Sequence, residues 1–173
     1  MREILLYGKK AAGRVALVDD GDFELVSQYR WYVQEKHLPG QRPYGPYAVT
    51  SWREGSRMRN LRMHKLITGF DLTDHKNHNT LDNQRSNLRP ASGRQSLANT
   101  RPFGKSKFKG VAWNKRLGKW QVSIRLETGR KYLGVFDNEI EAALVYDAEA
   151  RTRYADYEFL NFPDGLTNDL QQP

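Results

Sequence analysis

Between Ser106 and Phe136 the chain alternates with a period of two, and after Asp137 it changes to a helical period. That change constrains the fold more than any other feature. Three runs, 106–113, 118–125 and 130–136, read as strands, divided at hairpin spacing by Gly118 and the turn Glu127-Thr128-Gly129. In the second run Trp120, Val122 and Ile124 alternate with Lys119, Gln121, Ser123 and Arg125. One face is therefore apolar and the other polar and cationic. Asp137 or Asn138 caps the helix that follows, and Glu139 and Glu141 in its first turn oppose the helix dipole. Ala142, Ala143, Tyr146 and Ala150 give that helix a small-residue face able to lie close on the sheet. The expected unit is a three-stranded antiparallel sheet packed on one helix, with the cationic face uncovered.

Charge says what that face meets. The chain has 28 Lys+Arg against 20 Asp+Glu, a net charge of +8 and a pI near 9.7. Thirteen basic residues fall within 85–131 beside one acid, Glu127, whereas 137–169 holds nine acids against Arg151 and Arg153. A one-sided block of this length suits a surface that faces phosphates, and the expected partner is double-stranded DNA. A membrane partner is disfavoured, because the basic stretch reads as strands and no apolar run could span a bilayer. No secretory pattern opens the chain, so an intracellular, cytoplasmic protein is expected. Cys is absent, which excludes disulfide scaffolds, thiol nucleophiles and thiolate zinc sites. The 173 residues leave room for one ordinary domain or two small ones.

The stretch 1–69 reads as strand-rich with one short helix. A strand over 14–18 stops at the turn cluster Asp19-Asp20-Gly21-Asp22, and a helix within 23–29 is capped by Asp22. Strands at 31–33 and 47–52 flank a Pro/Gly-rich loop at 39–46, and 57–64 reads as a strand with one charged face. His37 reads as a loop histidine and His64 as a packed or phosphate-facing one.

Residues 72–89 carry the chemistry. Asp74-His75, an Asn-rich turn and then Asn87-Leu88-Arg89 suggest two short strands joined by a loop. Ser92 and Gln95 are spaced as a capping box that opens a helix over 94–99. Such a unit suits phosphodiester hydrolysis. His75 can serve as the base because its ordinary pKa lies near working pH. Asp74 offers a hard oxygen ligand to a Mg²⁺-like ion, and Asn87 could hold His75 in place.

Residues 61–99 resemble the HNH endonucleases, the ββα-metal nucleases, in the form found in homing endonucleases of phages and mobile introns. The match includes Met63-His64-Lys65-Leu66-Ile67, Asp74-His75, Leu81-Asp82-Asn83 and Asn87-Leu88-Arg89. The resemblance implies His75 as general base, Asp74 as metal ligand and Asn87 as the residue that orients the base. A further His or Asn in the closing helix completes the metal site of that family, and the matching position here is Ser96. A hydroxyl is a poorer fixed ligand than an amide or imidazole; Asn99 or a bridging water is an alternative.

Residues 106–164 resemble the ethylene-response-factor type (Apetala-type) DNA-binding domain. The matching pieces are Lys109-Gly110-Val111, Gly118-Lys119-Trp120, Tyr132-Leu133-Gly134-Val135-Phe136, Glu141-Ala142-Ala143, Tyr146-Asp147, Ala150 and Leu160-Asn161-Phe162. The resemblance implies that Lys109, Trp113, Lys115, Gln121, Ser123, Arg125, Arg130 and Tyr132 lie on or near DNA-facing strands. Trp113 is also open to a core reading. Lys109 stands where that family often has Arg, so a phosphate contact replaces bidentate base reading there.

The whole reads as an α+β protein. A nuclease module spans 1–100, with its ββα-metal core at about 70–100 and antiparallel strands before it; 101–105 is a linker, 106–164 the sheet domain and 165–173 a tail. The function implied is a site-specific, homing-type DNA endonuclease, monomeric, using Mg²⁺ or Mn²⁺, of phage or mobile-element type. The rival is a DNA-binding protein derived from such a nuclease, with weak or no cleavage because of Ser96.

Overall fold

Short runs of Val, Ile, Tyr and Trp pair with their neighbours in sequence, and every pairing between the described strands is antiparallel. The computed structural model describes residues 1–163 except 38, 40–43, 127, 155, 156 and 158. Glu127 of the expected turn, part of the 39–46 loop and the expected tail lie outside the described residues. The class is α+β, with antiparallel sheets and few helices. No helix among the described residues is long and apolar enough to cross a membrane. The chain divides into two units, Met1–Gly93 and Arg94–Pro173.

In the first unit β1 (Arg2–Leu5) pairs with β2 (Val15–Val18). A 3-10 turn and α1 (Phe23–Ser27) lead to a sheet of β3 (Tyr32–Lys36), β4 (Tyr44–Glu54) and β5 (Arg57–Arg62), with β4 central. The expected strand over 57–64 stops early. At Met63 the chain turns into α2 (Met63–Thr68), because Met63, His64 and Ile67 bury together on one helical face, and Gly69 closes the helix with φ +72°. Asp22 does not cap α1 through its side chain; its carboxylate instead receives Arg85 Nε and Nη2 at 2.8 and 2.7 Å. β6 (Thr73–His75) pairs with β7 (Leu88–Pro90), setting Asp74 opposite Arg89 and His75 opposite Leu88. Backbone bonds from Leu17 N to Leu81 O and from Asn83 N to Leu17 O stitch the intervening loop to β2. Ile4, Val18, Trp31, Met63, Leu81 and Leu88 share one core, so the strands at the start of the chain and the β6–β7 pair pack as one body.

The second unit opens with α3 (Gly93–Ala98), whose first residue lies at the division. β8 (Val111–Asn114), β9 (Lys119–Leu126) and β10 (Gly129–Phe136) form a sheet with β9 central, and α4 (Glu139–Tyr154) packs across it. Of the two cap candidates, Asn138 does the capping: its Oδ1 accepts from the backbone N–H groups of Ile140 and Glu141. Ala142, Ala143 and Ala150 are fully buried against Val122 and Ile124, which is the close approach their small size permits. The same closeness fixes Gly110, where a Cβ would lie 1.9 Å from the Tyr146 ring. Buried Asp147 accepts from Asn161 and from the Phe162 backbone, and Asn161 bonds both backbone groups of Lys109. This clasp holds the segment after α4 onto the unit.

Candidate functional site

Strand alternation would send Asp74 and His75 to opposite faces of a two-residue-wide ribbon, yet both are buried, at 6% and 4% exposure. Each has its own support. The guanidinium of Arg89, opposite Asp74 in the ladder, donates from Nε and Nη2 to Asp74 Oδ2 at 2.8 and 2.7 Å. The His75 ring is hydrogen-bonded to the side chain of Asn83 and sits among aromatic rings. Burial lowers the His75 pKa, against the opposing pull of Asn83, Asp74 and Asp82, so the ring is neutral near pH 7.

Asn87 acts on the loop rather than on the ring. Its Oδ1 accepts from Asn77 N at 2.9 Å, and its Nδ2 donates to Asp82 O at 2.8 Å. Asn77 donates in turn to the Asp82 carboxylate at 2.7 Å, while its own Oδ1 accepts from Asn79 N. The Asn-rich segment therefore satisfies its own backbone, as its composition suggests. The amide bonded to the His75 ring is that of Asn83, to which the sequence assigned no role. Only its place next to Asp82 could have drawn attention to it.

Three further residues of this neighbourhood come from outside 72–89. His64 on α2 and Tyr47 on β4 face His75 with ring centroids 5.1 and 6.2 Å away. Arg62 lies with its guanidinium 4.9 Å from the Tyr47 ring. Burial, with His75 and Arg62 nearby, pushes His64 down to about 3. Burial raises the Tyr47 phenol.

Oxygen donors for a divalent ion are few. Among the described residues no group of three or more His, Cys, Asp and Glu side chains is placed to hold a metal. The Asp82 carboxylate is engaged by Asn77 and by Gln84 N. Asp74 is engaged too, by the Arg89 guanidinium at Oδ2; a single carboxylate with water and phosphate is compatible with Mg²⁺. Ser96 is a half-buried residue of α3, in the second unit.

In the second unit the strand register sorts the eight expected contact residues. Gln121, Ser123, Arg125, Arg130 and Tyr132 share the face opposite α4, with Arg130 opposite Arg125 and Tyr132 opposite Ser123. Tyr132 is 58% exposed there. Trp113 pairs with Trp120 on the α4 side, their rings 5.0 Å apart, although Trp113 is 44% exposed at the sheet edge. Its register thus favours packing over contact with a partner. Lys115 is exposed in the turn after β8. Lys109 is turned inward: its ammonium donates to Ala98 O at the end of α3 and lies about 6 Å from the rings of Tyr146 and Phe159 (6.0 and 5.9 Å).

One cationic feature lies outside the expected contact residues, although its second strand is the one expected over 57–64 with a charged face. The outer halves of β4 and β5 form a two-stranded ribbon in which residues 51–60 are all exposed. It presents Arg53, Arg57 and Arg59 with Trp52 and Met58, and its one acid, Glu54, pairs with Arg59 at 2.7 Å. An arginine-rich run around a Glu-Gly-Ser turn is the signal that could have marked it.

No family model and no solved structure matches the chain. It is 43% identical over 61 residues to Dehydration-responsive element-binding protein 2D of Arabidopsis thaliana, covering 34% of this chain and 29% of that one. It is 47% identical over 49 residues to APETALA2-like protein 2 of Oryza sativa subsp. indica, covering 27% of this chain and 11% of that one. With Dehydration-responsive element-binding protein 2C of Arabidopsis thaliana it shares 41% identity over 63 residues, 35% and 18% of the two chains. The chain spans less than a third of the length of each of these relatives. About a third of this protein is thus homologous to part of the APETALA2-like and element-binding proteins of plants.

Proposed function

We propose that this protein is a monomeric, site-specific DNA endonuclease of the homing type, in which the second unit holds duplex DNA and the first hydrolyses a phosphodiester. The observation that carries the nuclease reading is a buried, neutral His75, bonded to Asn83 and next in the chain to Asp74. A neutral imidazole takes a proton from water as the water oxygen bonds to phosphorus and the opposite P–O ester bond breaks. Asn83 holds the ring, and Asn87 braces the loop that carries Asn83. Asp74 would hold a Mg²⁺ or Mn²⁺ ion; that Ser96 adds a weaker donor is implied by the resemblance alone. When bound, the ion supplies positive charge to the phosphate and the departing oxygen.

The DNA-binding half of the reading rests on homology to proteins named for binding an element, and on the cationic sheet face. A sheet of this width fits a major groove, where Arg125 and Arg130 reach guanine edges and Tyr132 packs on sugar or a thymine methyl. The β4–β5 ribbon adds a second cationic contact of groove-sized width.

The test is cleavage of duplex DNA from the protein's source, with and without Mg²⁺ or Mn²⁺, by wild type and by His75→Ala. Loss of general-base catalysis lowers the rate about 10²–10⁴-fold while DNA affinity holds. Equal cleavage by the two proteins would reject the assignment of His75. A second reading, a DNA-binding protein with weak or no cleavage, is favoured by Ser96 and by the Arg89 guanidinium on Asp74. A Ser96→Asn variant separates them: it gains cleavage at lower metal concentration if Ser96 is the weak ligand. If Ser96→Asn and wild type are both inactive across the metal range, the second reading stands.

A further inference from the structure

We propose that His64 is a positioning residue for His75, forming with Tyr47 an aromatic wall that fixes the plane of the base. The inference rests on the reading of His75 as a general base.

Three rings from three elements meet here: Tyr47 of β4, His64 of α2 and His75 of β6. His64 stands edge-on to His75 with centroids 5.1 Å apart and planes at 75°. Tyr47 stands edge-on to His64 at 5.7 Å and 74°, and closes the triangle to His75 at 6.2 Å and 55°. These are the separations and tilts at which aromatic rings attract, edge against face. The bond to Asn83 fixes one point of the imidazole, and rings packed against it oppose rotation about that point. A base displaced by about 1 Å can lose about 10²-fold in rate, so the freedom removed is worth having.

The wall is itself well founded. His64 and Met63 are buried at the start of α2, and Thr68 Oγ1 donates to His64 O at 2.7 Å. Arg62 lies over the Tyr47 ring and donates to the Tyr44 hydroxyl. The His64 ring, held near a pKa of about 3, stays neutral at working pH and sets no like charge against His75. Two histidines can therefore lie in contact with only one of them taking part in proton transfer.

Two substitutions separate a flat wall from mere filling. His64→Leu keeps similar bulk without a ring plane, and His64→Phe restores the plane without a nitrogen. Each is made in the full-length protein, and two quantities are read: steady-state cleavage of the DNA substrate, and the rate at which diethyl pyrocarbonate modifies His75, mapped by mass spectrometry. The expected result for His64→Leu is a kcat lower by about 10- to 100-fold at nearly constant KM, with faster modification of His75. His64→Phe returns both quantities toward wild type. The inference is overturned if His64→Leu matches wild type in both, or if His64→Phe is as impaired as His64→Leu. If wild type does not cleave, the nuclease reading fails, and the modification rates alone decide: faster in His64→Leu and restored in His64→Phe upholds the wall, equal rates in all three proteins dismiss it.

Discussion

A buried histidine leaves a signature in the stability of the protein as well as in its chemistry. The His64 pKa is about 3 in the folded chain against 6.5 when exposed. Above pH 6.5 both states are neutral there and nothing is gained or lost. Below it the unfolded chain takes up a proton that the folded chain refuses, so stability falls as pH drops toward 3. Between pH 6.5 and 5 this one residue removes roughly 2 kcal/mol. His75, also lowered by burial, adds a loss of the same sign. Urea unfolding of wild type and His64→Phe at pH 7 and pH 5 checks this: the wild type should lose more between the two pH values. Parallel losses in the two proteins would assign the acid sensitivity elsewhere.

Among the elements, α3 is the one whose allegiance matters most. Its last carbonyl, Ala98 O, accepts from Phe159 N at 3.0 Å and from the Lys109 ammonium, while Arg94 Nη1 donates to Leu126 O at 2.9 Å. A fragment of residues 94–173 should therefore be more stable than one of residues 101–173, by about 1–3 kcal/mol for the bonds lost. Urea midpoints of the two fragments give the difference directly; equal midpoints would mean that α3 contributes nothing to the sheet unit. The sheet and α4 were legible in the sequence because alternation and helical period follow one another there with clear turns between. β5 was read two residues too long, since Leu61 and Met63 continue the alternation across the point where Met63, His64 and Ile67 begin to bury as a helix. The ladder partner of Asp74, the amide on His75 and the ring against it were not legible. Each depends on register or on packing between segments distant in sequence, and local spacing carries no information about either. The partners of Asn87 are of the same kind: its side chain bonds loop backbone at Asn77 and Asp82, which its spacing from His75 does not reveal.

At the scale of the whole molecule, the Arg89–Asp74 pair decides whether stability depends on a divalent ion. A buried carboxylate is costly unless a cation balances it, and where that cation is a metal, folding depends on the metal. Here a guanidinium already balances that charge inside the folded chain. Chelation with EDTA should leave the melting temperature unchanged to within about 1 °C, with the residual change set by mass action on whatever metal was bound. A large drop on chelation would show that an ion, and not Arg89, neutralises Asp74. Arg89 is in effect a resident counter-ion. Any divalent cation that arrives must share the carboxylate with an occupant that never dissociates from the chain, so uptake is an exchange rather than the filling of an empty seat. On the proposed reading, occupancy would follow the supply of metal and phosphate together, and the chain would fold before any ion reaches it.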